Sequence, residues 1–300
     1  MSNRHQGKPC SCLSSLVPRP SSINVKGFTL IEMVVAIVLL GIVGSIASVF
    51  IGNTMEAYSG LTRRDGLQST ARMAVERISR ELRMALPNSV CTHNGVSCDN
   101  SGTTLYFLPL KDAGEYQDRG GLYYPGQSRD RLPIAGNVDN KFDVLSSNTL
   151  NAVNGDWVVV YNTDNADIYA TTTRRKQISS ITTKDVDNVA PANDISVINL
   201  TSVTSFPNHS PGRRFQIIED YVTLFYLDET DLYRAKSTFL TPTVFDAGTE
   251  HLLLQNVSSL TFTYLPGSLH RSGLLRINLT VTESGESVQL VHEAQVYNAP

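Results

Sequence analysis

Much of what marks an enzyme is missing from this 300-residue chain. It contains no G-x-S-x-G elbow, H-E-x-x-H helix, P-loop or G-x-G-x-x-G turn. The sequence signals of serine hydrolases, zinc peptidases, nucleotidases and dinucleotide enzymes are therefore absent, and no catalytic constellation is visible. His292-Glu293 begins like a zinc-peptidase motif but lacks the second histidine, and it lies in a strand-like alternation. Residues 1–27 hold no aspartate or glutamate, residues 28–51 hold one charge, and the whole chain has four cysteines.

Each scarcity excludes something. Arg4, Lys8, Arg19 and Lys26 carry the charge of the acid-free segment; without it the remainder has 21 basic against 28 acidic residues, a net of −7. A mildly acidic protein is a poor nucleic-acid binder. Basic residues before the apolar run and a large domain after it fit the positive-inside rule, with residues 1–27 cytoplasmic and 52–300 on the other side. Cys10 and Cys12 lie in the first segment, Cys91 and Cys98 in the later one. In an exported, oxidising setting the latter pair is expected to form a disulfide around THNGVS, whose Asn94-Gly95 is a strong turn signal. A zinc site would need more ligands than His93 alone supplies.

What is present is concentrated between Gly27 and Ile51. From Phe28 onward 24 residues carry Glu32 as their one charge. As a helix they span about 36 Å, more than the roughly 30 Å of a bilayer core. A secretory signal would have an apolar core of about 7–15 residues with the small residue behind it; here Gly27 stands in front. A lone carboxylate in a spanning helix costs a few kcal/mol on insertion scales, so Glu32 either reaches the headgroups or has a partner. Gly41 and Ser45, and Gly44 and Ser48, are small residues four apart, a spacing that lets membrane helices approach closely, although glycine is also simply commoner in such helices. Gly41 and Gly44 also mark a place where the helix can loosen.

Lys26-Gly27-Phe28-Thr29-Leu30-Ile31-Glu32 resembles the processing site of type IV prepilins and type II secretion pseudopilins. The resemblance covers roughly a tenth of the chain. It implies cleavage after Gly27 by a prepilin peptidase, N-methylation of the new terminus at Phe28, and an assembly role for Glu32. Physically, the Phe28 amine of one subunit would pair with the Glu32 carboxylate of its neighbour, so that neither charge is left uncompensated in an apolar fibre core. The implied partners are the peptidase, other minor and major pilins and an inner-membrane assembly platform. The implied location is the bacterial inner membrane, single-pass, with the C-terminal head in the periplasm, and the fibre itself. No cofactor or metal is implied.

Beyond the span the expected fold is α+β: a long N-terminal helix packed on an antiparallel β-sheet head. Residues 52–87 are expected to continue the helix, because Ala71, Ala74, Val75, Ile78, Leu82 and Ala85 recur at steps of three and four. Arg72, Glu76, Arg77, Arg80, Glu81 and Arg83 fill the other side as a solvated face, and Pro87 ends the element. Gly60 and Gly66 permit a bend at about 1 kcal/mol each. Residues 88–300 form the β-rich head, with strands expected at 104–108, 157–161, 215–219, 221–227, 232–239, 251–255 and 260–264. Leu275, Ile277, Leu279 and Val281 alternate with polar residues and return through Val288, Leu290, Ala294 and Val296, predicting a hairpin turned at Glu283–Glu286. Residues 162–210 read as long loops or an insertion with short strands. Asp164, Asp167, Asp185, Asp187, Asp228, Glu229 and Asp231 form acidic clusters whose spacing does not fit an EF-hand and which read as solvated loop charge.

Within that family the chain resembles the larger minor pilins and J-type minor pseudopilins, and further motifs are similar to a minor component of mannose-sensitive haemagglutinin pili. These are Arg77-Ile78-Ser79-Arg80-Glu81-Leu82-Arg83, Ala85-Leu86-Pro87-Asn88-Ser89, Phe262-Thr263-Tyr264-Leu265-Pro266-Gly267 and Asn298-Ala299-Pro300. Three function classes are open at this point: a minor subunit that helps assemble or initiate a fibre, an adhesive head whose binding surface is the 110–210 region, and a membrane-anchored periplasmic enzyme.

Overall fold

The computed structural model describes residues 27–93, 98–145, 149–170, 173–189, 194–238, 249–267 and 271–297. The expected leader before Gly27, the Asn94-Gly95 turn and the Asn298-Ala299-Pro300 motif lie outside these residues. Contacts divide the chain into a unit up to Ala57 and a head from Tyr58 onward.

The first helix, α1, spans Leu30–Leu82, 53 residues without a break. The helix continues without a break through Gly41, Gly44, Gly60 and Gly66, because one glycine costs only about 1 kcal/mol against a cooperative ladder of backbone bonds. Up to Ala57 its described residues are exposed. In the head, Leu67, Ala71, Ala74, Val75, Ile78 and Leu82 are buried, following the three-and-four spacing.

The helix stops at Leu82, short of the 87 expected from Pro87. The Leu86 N–H bonds the Leu108 carbonyl and the Leu110 N–H bonds the Met84 carbonyl, both at 2.7 Å. Residues 84–86 thus pair with 108–110, and that pairing removes the backbone groups a further helical turn would need.

The remaining elements follow in order: β1 Cys91–His93, β2 Ser101–Gly102, β3 Thr104–Phe107, β4 Leu110–Glu115, β5 Leu122–Tyr124, β6 Gln127–Ser128, β7 Asp139–Asp143, β8 Trp157–Val159, α2 Ala166–Tyr169, β9 Arg175–Lys184, β10 Ile195–Thr204, β11 Arg214–Ile218, β12 Tyr221–Asp228, β13 Asp231–Thr238, β14 His251–Leu254, β15 Val257–Leu265, β16 Gly273–Glu283 and β17 Glu286–Val296. The architecture is α+β with antiparallel sheets, as expected. A four-stranded sheet, β17-β16-β15-β2, and a five-stranded sheet, β1-β3-β12-β13-β14, share one core with α1. Leu260, Phe262, Ile277 and Leu279 come from the first sheet; Leu105, Phe107, Phe225 and Leu232 come from the second. The C-terminal hairpin keeps one register from Gly273↔Val296 to Glu283↔Glu286. Its turn residues Ser284 and Gly285 have φ of 50° and 85°, the left-handed pair that a two-residue hairpin turn requires.

The inserted region departs most from expectation. Where loops with short strands are predicted for 162–210, β9 and β10 are ten residues long each and pair with one another. They belong to a six-stranded sheet, β4-β11-β8-β9-β10-β7, with its own core of Tyr116, Phe142, Val158, Ile198, Phe215 and Ile217 among others. The lobe begins at β4 and ends at β11. β3 pairs with β12 and β4 pairs with β11, so a two-strand stem carries it out of the head and back. In β10 the residues Ile195–Ile198 are buried in succession and Thr201–Val203 exposed in succession, so the period-two alternation that marks a strand in sequence is missing.

Candidate functional site

The helix start holds the residues singled out for processing and assembly. Phe28 is 80% exposed, and a Cβ built on Gly27 would meet nothing within 4 Å, so the fold itself makes no demand for glycine there. Thr29 stands before the first helical residue, and its Oγ1 accepts the Glu32 N–H at 3.3 Å. A threonine followed three residues later by glutamate is the capping-box pattern, which satisfies one of the free N–H groups of the first turn. Thr29 is therefore the helix cap, a local use that sequence reasoning missed although the T-x-x-E spacing announces it; the bond it accepts comes from the backbone N–H of residue 32. The Glu32 carboxylate lies in the first turn, where the helix dipole favours a negative charge.

Further along, the polar side chains of the apolar segment are satisfied within the helix. The hydroxyl of Ser45 donates to the Ile42 carbonyl at 2.8 Å, and that of Thr54 to Phe50 at 2.7 Å. Gly41 and Gly44 leave open space at their Cβ positions. The helix is long and apolar enough to cross a membrane, and all of its most apolar stretch is exposed.

Cys91 and Cys98 are joined by a disulfide. Cys91 is buried beside Leu86, Tyr106 and Leu108. The Tyr106 hydroxyl lies 3.1 Å from Cys98 Sγ, and its ring is flanked edge-on by His93 and Tyr169. Burial pushes the Tyr106 phenol up to about 12 and the His93 imidazole down. Tyr169 donates to the Ser89 carbonyl at 2.6 Å. The loop after the helix is thereby fastened to the stem of the insertion, and His93 serves as packing.

The acidic residues separate into three places. Asp167 accepts from the Thr163 and Asp164 N–H groups and pairs with Arg174 at 3.1 Å. Asp185 and Asp187 come together with Asp194, their oxygens within 4.8 Å of one another. Asp194 was not foreseen, since six residues lie between it and Asp187. Asp185 and Asp187 also accept backbone N–H groups of residues 187–189, which makes them turn formers. Asp228, Glu229 and Asp231 sit at the tip of the β12–β13 hairpin.

Compared with known proteins, residues 23–48 match a family described as the prokaryotic N-terminal methylation motif. No curated protein and no solved structure matches the chain. The matched segment holds Gly27, Phe28 and Glu32 and the first part of the apolar helix, and the motif supports a type IV pilin-like prepilin.

Proposed function

We propose that the chain is a fibre subunit of the type IV pilin-like class, acting as a minor pilin in the assembly or initiation of a pilus. Gly27, Phe28 and Glu32 at the head of a single apolar helix carry this reading, with the methylation motif over the same residues supporting it. Cleavage after Gly27 would expose the Phe28 amine, four residues from Glu32. In the finer form the subunit is an MshO-like component of a mannose-sensitive haemagglutinin pilus. A J-type minor pseudopilin of a type II secretion system has the same parts, and neighbouring genes for one machine or the other separate the two.

Glu32→Ala tests the reading. Removing a carboxylate improves the apolar match to lipid, so insertion and cleavage should survive. Docking should fail, because a neighbour's Phe28 amine would enter the fibre core unpaired at a cost of several kcal/mol. The variant is expected as a cleaved membrane monomer, missing from sheared fibres. Recovery in fibres at the wild-type level would overturn the reading and reopen that of a membrane-anchored enzyme.

A further inference from the structure

We propose that the exposed face of the C-terminal part of α1 docks the acidic β12–β13 turn of a second copy of this chain. The inference rests on the fibre-subunit reading and assigns one of its contacts.

The helix face is the first half of the case. Arg72, Glu76, Arg80 and Arg83 are exposed, and at 100° per residue they fall within about 80° of arc opposite the buried stripe. Met73 and Met84 flank them at 60% and 58% exposure. The neighbouring Arg77 is engaged with Glu81 at 3.2 Å, and Glu81 with Arg234 at 3.0 Å. Arg72, Arg80 and Arg83 make no ion pair among the described residues. Arginine and methionine are the residue types enriched where protein interfaces are buried.

The turn is the second half. Asp228 and Asp231 lie directly opposite each other in the β12–β13 register, with Glu229 between them at a φ of 51°. Like charges across a strand pair are destabilising. No cation among the described residues pairs with any of the three. A single metal ion is a poor remedy: the described acidic triple whose oxygens converge is Asp185, Asp187 and Asp194, not this one. Spread carboxylates suit a row of guanidinium groups.

Within one copy the two surfaces form no ion pair among the described residues. The turn is tied at Thr230 to the Val257 N–H, and the adjoining residues 252–256 share a groove with helix residues 63–70. The arginine row begins beyond that groove, roughly 15 Å further along the helix on average. A second copy displaced along the helix would bring its turn to the row. The charge balance agrees: residues 52–87 hold six basic and four acidic side chains, residues 88–300 hold 15 and 23. Such a contact is heterologous, leaving one free face and one free turn on every pair.

The test is sedimentation of the full mature chain in detergent. Wild type should associate at low salt, and the association constant should fall about tenfold or more between roughly 50 and 300 mM salt. Arg72→Glu/Arg80→Glu/Arg83→Glu and Asp228→Arg/Glu229→Arg/Asp231→Arg should each be monomeric with wild-type circular dichroism. An equimolar mixture of the two should associate again, which misfolding of either could not produce. A monomeric wild type at low salt, undiminished association of either variant, or a mixture that stays apart overturns the contact. So does calcium-driven association that ignores the arginine reversal. If the reversals are silent while Glu32→Ala removes the chain from fibres, the contact falls and the fibre reading stands. If Glu32→Ala is silent while the reversals act, the contact stands and the fibre reading falls.

Discussion

Thr29 and Glu32 are joined at the start of the helix, the threonine hydroxyl accepting the glutamate N–H at 3.3 Å. That bond uses the backbone N–H of residue 32 and survives any side chain there but proline. Glu32→Gln keeps the capping-box sequence pattern and the size of the side chain and removes the charge. If charge pairing with a neighbour's Phe28 amine governs assembly, Glu32→Gln should be lost from sheared fibres as fully as Glu32→Ala. Wild-type recovery of Glu32→Gln beside a defective Glu32→Ala would assign the position to the helix start alone.

Gly27 has open space around its Cβ position, so a larger residue there should leave the head folded. The demand for glycine would come from a peptidase that reads the backbone closely. Gly27→Val is expected to persist as a precursor 27 residues longer than the mature chain. Mass spectrometry of the membrane fraction decides it, and Phe28 found as the N-terminus in that variant refutes the requirement.

In the inserted lobe Lys184 Nζ donates to Asp130 Oδ2 and Asp143 Oδ1, both at 2.6 Å, and to the Ser128 carbonyl at 3.1 Å. Asp143 is fully buried and also accepts the Asp130 N–H at 2.9 Å. Asp143→Ala removes one of the two carboxylates that hold the nearly buried Lys184 ammonium and leaves Asp130 as its counter-charge, so the lobe should lose about 1–3 kcal/mol. Urea unfolding followed through Trp157, the one tryptophan, reads the loss. A change below about 1 kcal/mol would mean that the network is solvated, as exposed pairs are.

The same network sets an acid limit. Burial alone would raise the Asp130 carboxyl, but hydrogen bonds from Lys184 and Lys141 outweigh it and hold the group below its ordinary 3.8. A depressed carboxyl contributes stability that is whole above the unfolded value and drains away as pH falls through the folded one. The lobe should therefore keep its stability down to about pH 4 and lose it below. Asp130→Asn should be less stable at neutral pH and show a flatter acid limb; an unchanged acid limb contradicts the assignment.

Cys91 and Cys98 close a loop of six intervening residues. So short a loop restricts the unfolded chain by only about 2–3 kcal/mol in the chain-entropy account. Cys91→Ala/Cys98→Ala should fold with a lowered melting temperature, and its main effect should be a loosened β1, read as faster amide exchange at Thr92 and His93. Two thiols alkylated in the wild-type mature chain under oxidising conditions would contradict the bond.

What the sequence determined by itself is whatever local order and apolar spacing encode. The span from Phe28 to Ile51 is legible because one charge in 24 residues admits few readings. The helix stripe from Ala71 to Ala85 is legible because all six of its apolar positions are buried. The C-terminal hairpin is legible because its alternation is unbroken and its turn carries Gly285 where a left-handed φ is needed. Only the tertiary structure decided where the helix ends. Pro87 marks a late boundary, but Met84 and Leu86 pair with residues more than twenty positions away, and no local pattern reports that. The inserted lobe was legible only in part: strands are expected at 157–161 and 215–219, where β8 and β11 stand, but its sheet joins strands from Leu110 to Ile218 across long separations that no local pattern reports. The proposed meeting of Asp228, Glu229 and Asp231 with an arginine row belongs to the same class. Each half reads as ordinary solvated charge until the fold shows that neither has a partner of its own.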